Sequence, residues 1–433
     1  MNTSSEYTQL NSLWERTLLG SYLIIPLKYD EKELNVNYIS RSFEPLLIST
    51  MDIGENVKDM FNCSGPGKIG QVYRISSRVL EQELMGEHDL RLLVRDDKQE
   101  GLFRFLDSYL YVFHTQVAFL CLGIQYDSLQ TLYQICNPGY AELASDFLLQ
   151  HKTGGWDSFS IENQLESFAA KCGMHKFFDG VSSSIAESYI YTLALVPERL
   201  PSIDVMRQAT FNLHLMSPLN EPAEDDSEED LRYVYAVKAQ EQRSYRWGCC
   251  VSSQTISYIV ADETMKLESE MEVQGRDGLP VVLLALYEKF TCLRFTELLS
   301  HSVKKDAKYL ASLKEMMLKF QAYGTVTPSN LSRWYNVKQI YSALLDVNET
   351  VLAVNDIDTK LRILSEQQQD INQRKINTVS GIITVFGIVS IVDSMLSIVH
   401  DLGGGFSTDW ITAGGTLLSL VVVIAVMLRL LKR

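Results

Sequence analysis

Two apolar segments near the C-terminal end, Ile376–Val399 and Trp410–Leu428, constrain this chain more than any other feature. Each is long enough to cross the hydrocarbon core of a bilayer, which takes about 20 apolar residues in a helix. Arg374 and Lys375 precede the first segment, and Arg429, Lys432 and Arg433 follow the second. The joining loop "HDLGGGFSTD" carries Asp401 and Asp409 and no Lys or Arg. Because basic flanks are retained on the cytosolic side, the expected arrangement is a transmembrane hairpin. Its spans are residues 376–399 and 410–428, its loop 400–409 is external, and a basic tail, 429–433, lies in the cytosol with the N-terminus.

The first segment is polar for a span. At about 100° per residue, Asn377, Ser380, Thr384, Gly387, Ile391, Ser394 and Ser397 are expected on one helix face. The same face continued backwards carries Asn355, Thr359, Arg362, Glu366, Gln369 and Gln373, while the opposite face carries Ile357, Leu361, Leu364, Val379, Ile382 and Phe386. Small residues also let helices pack closely in lipid, which accounts for the span alone equally well. Continuity with a charged face outside the membrane favours a water-filled path lined by several copies. Asp393 and His400 fall on the other side and have no place in that reading. Glu366 and Asp370 are either rings around an axis or ordinary solvated charges.

Upstream, Thr327-Pro328 is a helix-start signal, and neither proline nor glycine recurs before Gly381. This predicts one continuous helix of roughly 70 residues, on the order of 100 Å long. Val337, Ile340, Leu344, Val347, Val351, Val354 and Leu361 form a coiled-coil-like seam along it. A helix this long has no globular partner of its own size, so residues 328–375 read as a stalk entering the first span.

The preceding 277 residues read as a cytosolic α/β or α+β domain. "YLYVFHTQVAFLCLGIQY" contains one or two strands, "ESYIYTLALV" another, and a helix starts near Ser202 after Pro201. "YRWGCCVSSQTISYIVAD" reads as a hairpin turning at Ser252-Ser253-Gln254. Residues 218–230, "PLNEPAEDDSEED", are too acidic and apolar-poor to bury and read as a surface loop. From 278 to 327 the chain turns helical, with a long buried helix followed by a second ending near Gly324.

Function classes narrow by composition and motif. A net charge of −15 argues against a partner that is a nucleic-acid polymer. Seven scattered cysteines without C-x-x-C suit a reducing compartment. Cys249-Cys250 reads as two strand neighbours facing opposite ways, a redox switch being the lesser alternative. No signal peptide is expected at the N-terminus. "SGPGKIG", Ser64–Gly70, lacks phosphate-loop spacing and reads as a turn, phosphate binding being the lesser alternative. Without H-E-x-x-H or G-x-S-x-G, no catalytic residue and no metal ligand is expected, and the chain is not read as an enzyme.

Three stretches carry a resemblance. "SRWYNVKQIYSALL", "SEQQQDINQRKINTVSGIITVFGIVSIV" and "WITAGGTLLSLVVVIAVMLRLLKR" are similar to the stalk, the first span, and the second span with basic tail of the CorA family of divalent-cation channels. The similarity covers about residue 278 to the end. It implies a homo-oligomer, a pentamer in that family, whose first spans line a pore through the prokaryotic inner membrane. Its partners would be the lipid bilayer and other copies, and magnesium would be its ion. The family's Gly-Met-Asn is absent; "SMLSIVHDLGGG" stands there, placing Asp401, Gly403, Gly404 and Gly405 at the external mouth. CorA-like proteins without that signature occur as membrane effectors of antiviral systems, including type III CRISPR loci, where a nucleotide messenger acts on the cytosolic domain. The resemblance thus implies a signal-gated pore, with a magnesium transporter second. A membrane-anchored sensor or enzyme, the hairpin serving only as tether, is the alternative from another class.

Overall fold

The computed structural model describes residues 14–93, 100–136, 146–178, 188–217, 232–235, 246–301 and 307–402. The acidic stretch 218–230, Gly403, Gly404, Gly405, the second apolar segment and the basic tail lie outside the described residues. The chain divides into two compact units, 1–357 and 358–433.

The first unit is built on a mixed sheet. Its strands are β1 (Leu18–Lys28), β2 (Glu44–Leu46), β3 (Gly70–Ile75), β4 (His88–Leu93), β5 (Glu100–Phe105), β6 (Ser108–Phe113) and β7 (Val117–Tyr126). There follow β8 (Asp146–His151), β9 (Trp156–Ser160), β10 (His175–Lys176), β11 (Tyr189–Val196), β12 (Arg232–Tyr235), β13 (Trp247–Val251) and β14 (Thr255–Ala261). Helices α1 (Val36–Ser42), α2 (Glu55–Asn62), α3 (Ser77–Leu80), α4 (Leu129–Cys136), α5 (Ile161–Lys171) and α6 (Ile203–His214) lie between strands. After the sheet come α7 (Leu267–His301), α8 (Ala307–Lys319), α9 (Pro328–Leu331), α10 (Tyr335–Val347) and α11 (Thr350–Leu402).

The strand order is β12-β13-β14-β11-β1-β7-β5-β4-β8-β9, with β6, β3 and β2 branching from β7 and β10 from β1. Among the described strands, only β11 and β14 pair in parallel. Of the two expected classes, α+β is therefore the closer. The hairpin at Ser252-Ser253-Gln254 joins β13 to β14 as its sequence suggests. Cys249 and Cys250 are consecutive, buried residues of β13.

The central strands β1, β7 and β11 are buried along nearly their whole length. Strands covered on both faces are apolar throughout and do not alternate, which is how "VAFLCLGIQY" and "YIYTLALV" read. On one face, Ile135 of α4, Phe168 of α5 and Leu213 of α6 join Leu23, Leu122 and Ile190 in one core cluster. On the other face lies α7. Phe113 stacks on Tyr287 with ring centroids 4.0 Å apart, and Phe119 meets Phe290 edge-on at 5.5 Å.

Helix α7 begins at Leu267, eleven residues before the start the sequence suggests, and carries Gly275, Gly278 and Pro280 inside it. Glycine and proline both disfavour a helix interior. Here the glycines are required by what lies beneath them. A Cβ at Gly275 would collide with the Tyr22 ring, and one at Gly278 with the Tyr191 hydroxyl. Tyr22 and Tyr191 stack on each other at 6.2 Å, giving α7 a flat aromatic floor.

The expected 70-residue helix is not continuous. Trp334 has extended backbone, with its indole N–H donating to the Met51 carbonyl at 3.1 Å, and this separates α9 from α10. A second break falls at Asn348–Glu349, where Glu349 takes φ +49°. Nor does α10 lack a partner: Ile340 and Leu344 are buried where α10 packs on α7. The first part of the predicted seam is therefore domain core, and the uninterrupted helix is α11, Thr350–Leu402.

Overpacking a tight contact of this kind costs about 1–3 kcal/mol. Gly278→Ala is expected to lower stability by that amount in chemical denaturation. Because the colliding atom is the Tyr191 hydroxyl, Gly278→Ala/Tyr191→Phe is expected to recover most of the loss. A double variant no better than the single would show that the glycine is needed for another reason.

Candidate functional site

The expected polar face lies on α11, whose continuity from Thr350 to Leu402 allows residues tens of positions apart to be placed around one axis. At about 100° per residue, Asn355, Thr359, Arg362, Glu366, Gln369, Gln373, Asn377, Ser380, Thr384, Gly387, Ile391 and Ser394 share a sector roughly 100° wide. Ser397 does not belong with them. It sits roughly 140° from Thr384 by the same rotation, so the stripe ends at Ser394. Of Asp393, Ser397, His400 and Asp401 only the backbone is described, all four within α11.

Hydroxyls along this helix bond to their own backbone. Thr384 Oγ1 donates to the Ser380 carbonyl, Ser394 Oγ to the Ser390 carbonyl and Thr378 Oγ1 to the Arg374 carbonyl, each at 2.8 Å. Gln373 Nε2 donates to Asn377 Oδ1 at 3.0 Å. An unsatisfied donor in lipid costs several kcal/mol. These bonds to the carbonyl four residues back satisfy each hydroxyl proton and leave the oxygen lone pairs free. A face of such groups offers acceptors, which is what a cation needs.

Residues 373–391 are the one described stretch long and apolar enough to cross a membrane. The apolar side is uncovered in the single chain along the span: Val379, Ile382 and Phe386 are 39–70% exposed. Large apolar side chains exposed over consecutive turns are unstable against water and call for lipid or another protein surface.

A second cluster was not anticipated. Glu288 and Lys289 interrupt the apolar run of α7, and that interruption is the only sign of them in the sequence. Glu288 is 5% exposed; its Oε1 accepts the Val326 N–H at 2.9 Å and the Tyr341 hydroxyl proton at 2.7 Å. Lys289 Nζ donates to Asn348 Oδ1 at 2.8 Å, and Asn348 Nδ2 to the Leu344 carbonyl. Two successive residues of α7 thus clamp α10, one at mid-length and one at its C-terminal cap beside the Glu349 turn. Burial raises the Glu288 carboxyl to about 7, against the opposing pull of its two hydrogen bonds. Burial also lowers the Lys289 ammonium, an effect that Glu349 partly offsets.

The stretch Ser64–Gly70 forms the connection from α2 into β3. No helix N-terminus follows it, as a phosphate loop of the strand–loop–helix kind requires, so it is not a loop of that kind. Among the described residues there is no group of three or more His, Cys, Asp or Glu placed to hold a metal ion.

The Glu288 site has a defined pH dependence. The folded protein keeps this proton to higher pH than the unfolded chain, so the stabilisation is complete below the ordinary glutamate range and is lost as pH rises through about 7. Denaturation of wild type between pH 5 and 8, both about the limits of that window, is expected to show falling stability. Glu288→Gln is expected to flatten the slope by up to roughly 3 kcal/mol. Equal slopes would mean that the carboxyl does not titrate in this range.

No family model matches the sequence, and no curated protein matches it. Two solved structures overlap it slightly. Full-length CmaX protein is 12% identical, the match covering 63% of this chain and 94% of that one at a TM-score of 0.21. The CorA magnesium transporter from Methanocaldococcus jannaschii is 12% identical, covering 59% and 92% at a TM-score of 0.17. Overlaps this slight carry no weight for fold or function.

Proposed function

We propose that the chain is one subunit of a homo-oligomeric membrane pore of CorA-like plan, with α11 of each copy lining the ion path. The observation that supports this reading is the exposed polar face running along a single helix from Asn355 to Ser394, opposite an apolar face that is exposed from Val379 to Phe386. A tether needs the second and not the first. In a ring of copies, the apolar sides meet lipid and neighbouring helices while the acceptor oxygens of Ser380, Thr384 and Ser394 face water and cations.

In this reading the pore sits in a prokaryotic inner membrane as a pentamer with both termini in the cytosol, and the α+β unit controls its opening. The missing Gly-Met-Asn favours a signal-gated pore, opened by a small nucleotide messenger in antiviral defence, over a housekeeping magnesium transporter. The purified protein in dye-loaded liposomes is expected to pass no magnesium until such a messenger is added. Flux without any ligand would overturn gating and favour the transporter.

The stripe itself is tested separately. Ser380→Leu and Thr384→Leu are each expected to cut single-channel conductance by about tenfold or more by narrowing and drying the path, with assembly intact by size-exclusion chromatography. Thr378→Leu, roughly 120° from Thr384, is expected to conduct normally. Unchanged conductance at both stripe positions would remove α11 from the ion path.

A further inference from the structure

We infer that the connection Ser64–Lys68, with Tyr323, forms a binding site for a small phosphorylated organic anion. Two neighbouring cavities, of about 320 and 430 Å³, both take their walls from Gly65, Pro66, Lys68 and Tyr323. Volumes of that order suit small ligands.

The electrostatics select an anion. Lys68 is half-buried, and its ammonium meets only the Gln71 Oε1 amide oxygen, at 2.7 Å, with no carboxylate within salt-bridge distance among the described residues. A partly desolvated, uncompensated cation favours a negative ligand. The backbone adds donors. Within this connection the Lys68 N–H donates to the Gly65 carbonyl, while the amides of Ser64, Gly65 and Gly67 make no hydrogen bond to the described protein. Two neighbouring amides, Ser64 and Gly65, with that of Gly67 beyond Pro66 and a lysine beside them, offer donors to an anion's oxygens.

Of the three carboxylates that line the two cavities, Glu315 and Asp59 are engaged. Glu315 holds Lys319 at 2.9 Å, and Asp59 Oδ1 accepts the Cys63 thiol proton at 3.1 Å. Glu31 lies within electrostatic reach of His114, which also feels the Lys68 charge. Tyr323, 42% exposed, presents its ring to both cavities and offers a face for the ligand's flat apolar part. Val326 closes the larger cavity and is the residue whose N–H goes to Glu288, so the site adjoins the clamp on α10.

Phenyl phosphate, which joins a ring to a phosphate, and pyrophosphate, which has no ring, are the probes. Isothermal titration of the full chain in detergent is expected to show one site per chain for both. Lys68→Ala is expected to weaken both by about tenfold or more, and Lys68→Arg to restore them, as for loss and return of a charge-assisted contact. Tyr323→Ala is expected to weaken phenyl phosphate alone. No binding of either probe at about 10 mM, where even a millimolar site is filled, would overturn the proposal. So would binding unchanged in Lys68→Ala. Neither result bears on conduction through α11.

Discussion

The first unit depends on the close seating of α7 against the sheet. Central strands buried on both faces must have a second cover, and α7 supplies it along β1, β7 and β11. That contact is close only because glycine stands at 275 and 278, where Tyr22 and Tyr191 occupy the space of a side chain. The tyrosines in turn are floor and wall at once, stacked on each other beneath the helix. Aromatic area of this kind, removed from water, is the largest single favourable contribution such a layer makes. With α7 in place, Tyr287, Glu288, Lys289 and Phe290 are held at fixed positions, and α10 is placed by reference to them.

The polar groups of α7 then convert packing into specificity. An apolar helix can slide or rotate on an apolar neighbour at small cost, because dispersion contacts are non-directional. Glu288 and Lys289 remove that freedom for α10, since each is bonded to a named partner and would be left unsatisfied by a shift. Their placement also explains why the chain stops being helical at Asn348. The Asn348 side chain is taken by Lys289 and by the Leu344 carbonyl, and Glu349 adopts the left-handed turn that follows. Helix α11 begins afresh at Thr350. On its polar face Thr384 and Ser394 satisfy their hydroxyl protons along the helix and keep their oxygens free to accept.

Much of this was legible in order along the chain. Runs of β-branched and aromatic residues marked β6, β7, β11 and the β13–β14 hairpin, and Pro201 marked the start of α6, which Ser202 caps by accepting the Val205 N–H. The polar stripe of α11 was readable because helical rotation is nearly constant, although carrying it to Ser397 overran the face. The stalk was misread for a physical reason. Absence of glycine and proline permits a helix but cannot forbid a break, and the breaks at Trp334 and Asn348 are made by partners distant in sequence, Met51 and Lys289.

By itself the sequence determined several central strands, the apolar span at 373–391 and the two-faced character of the last helix, because these follow from local periodicity and hydropathy. Only the tertiary structure decided three other matters. It placed α10 in the domain core, it made Gly275 and Gly278 helix-interior residues, and it buried Glu288 between Val326 and Tyr341. Each depends on a surface brought up from elsewhere in the chain, and a residue's own neighbours in sequence carry no record of that surface.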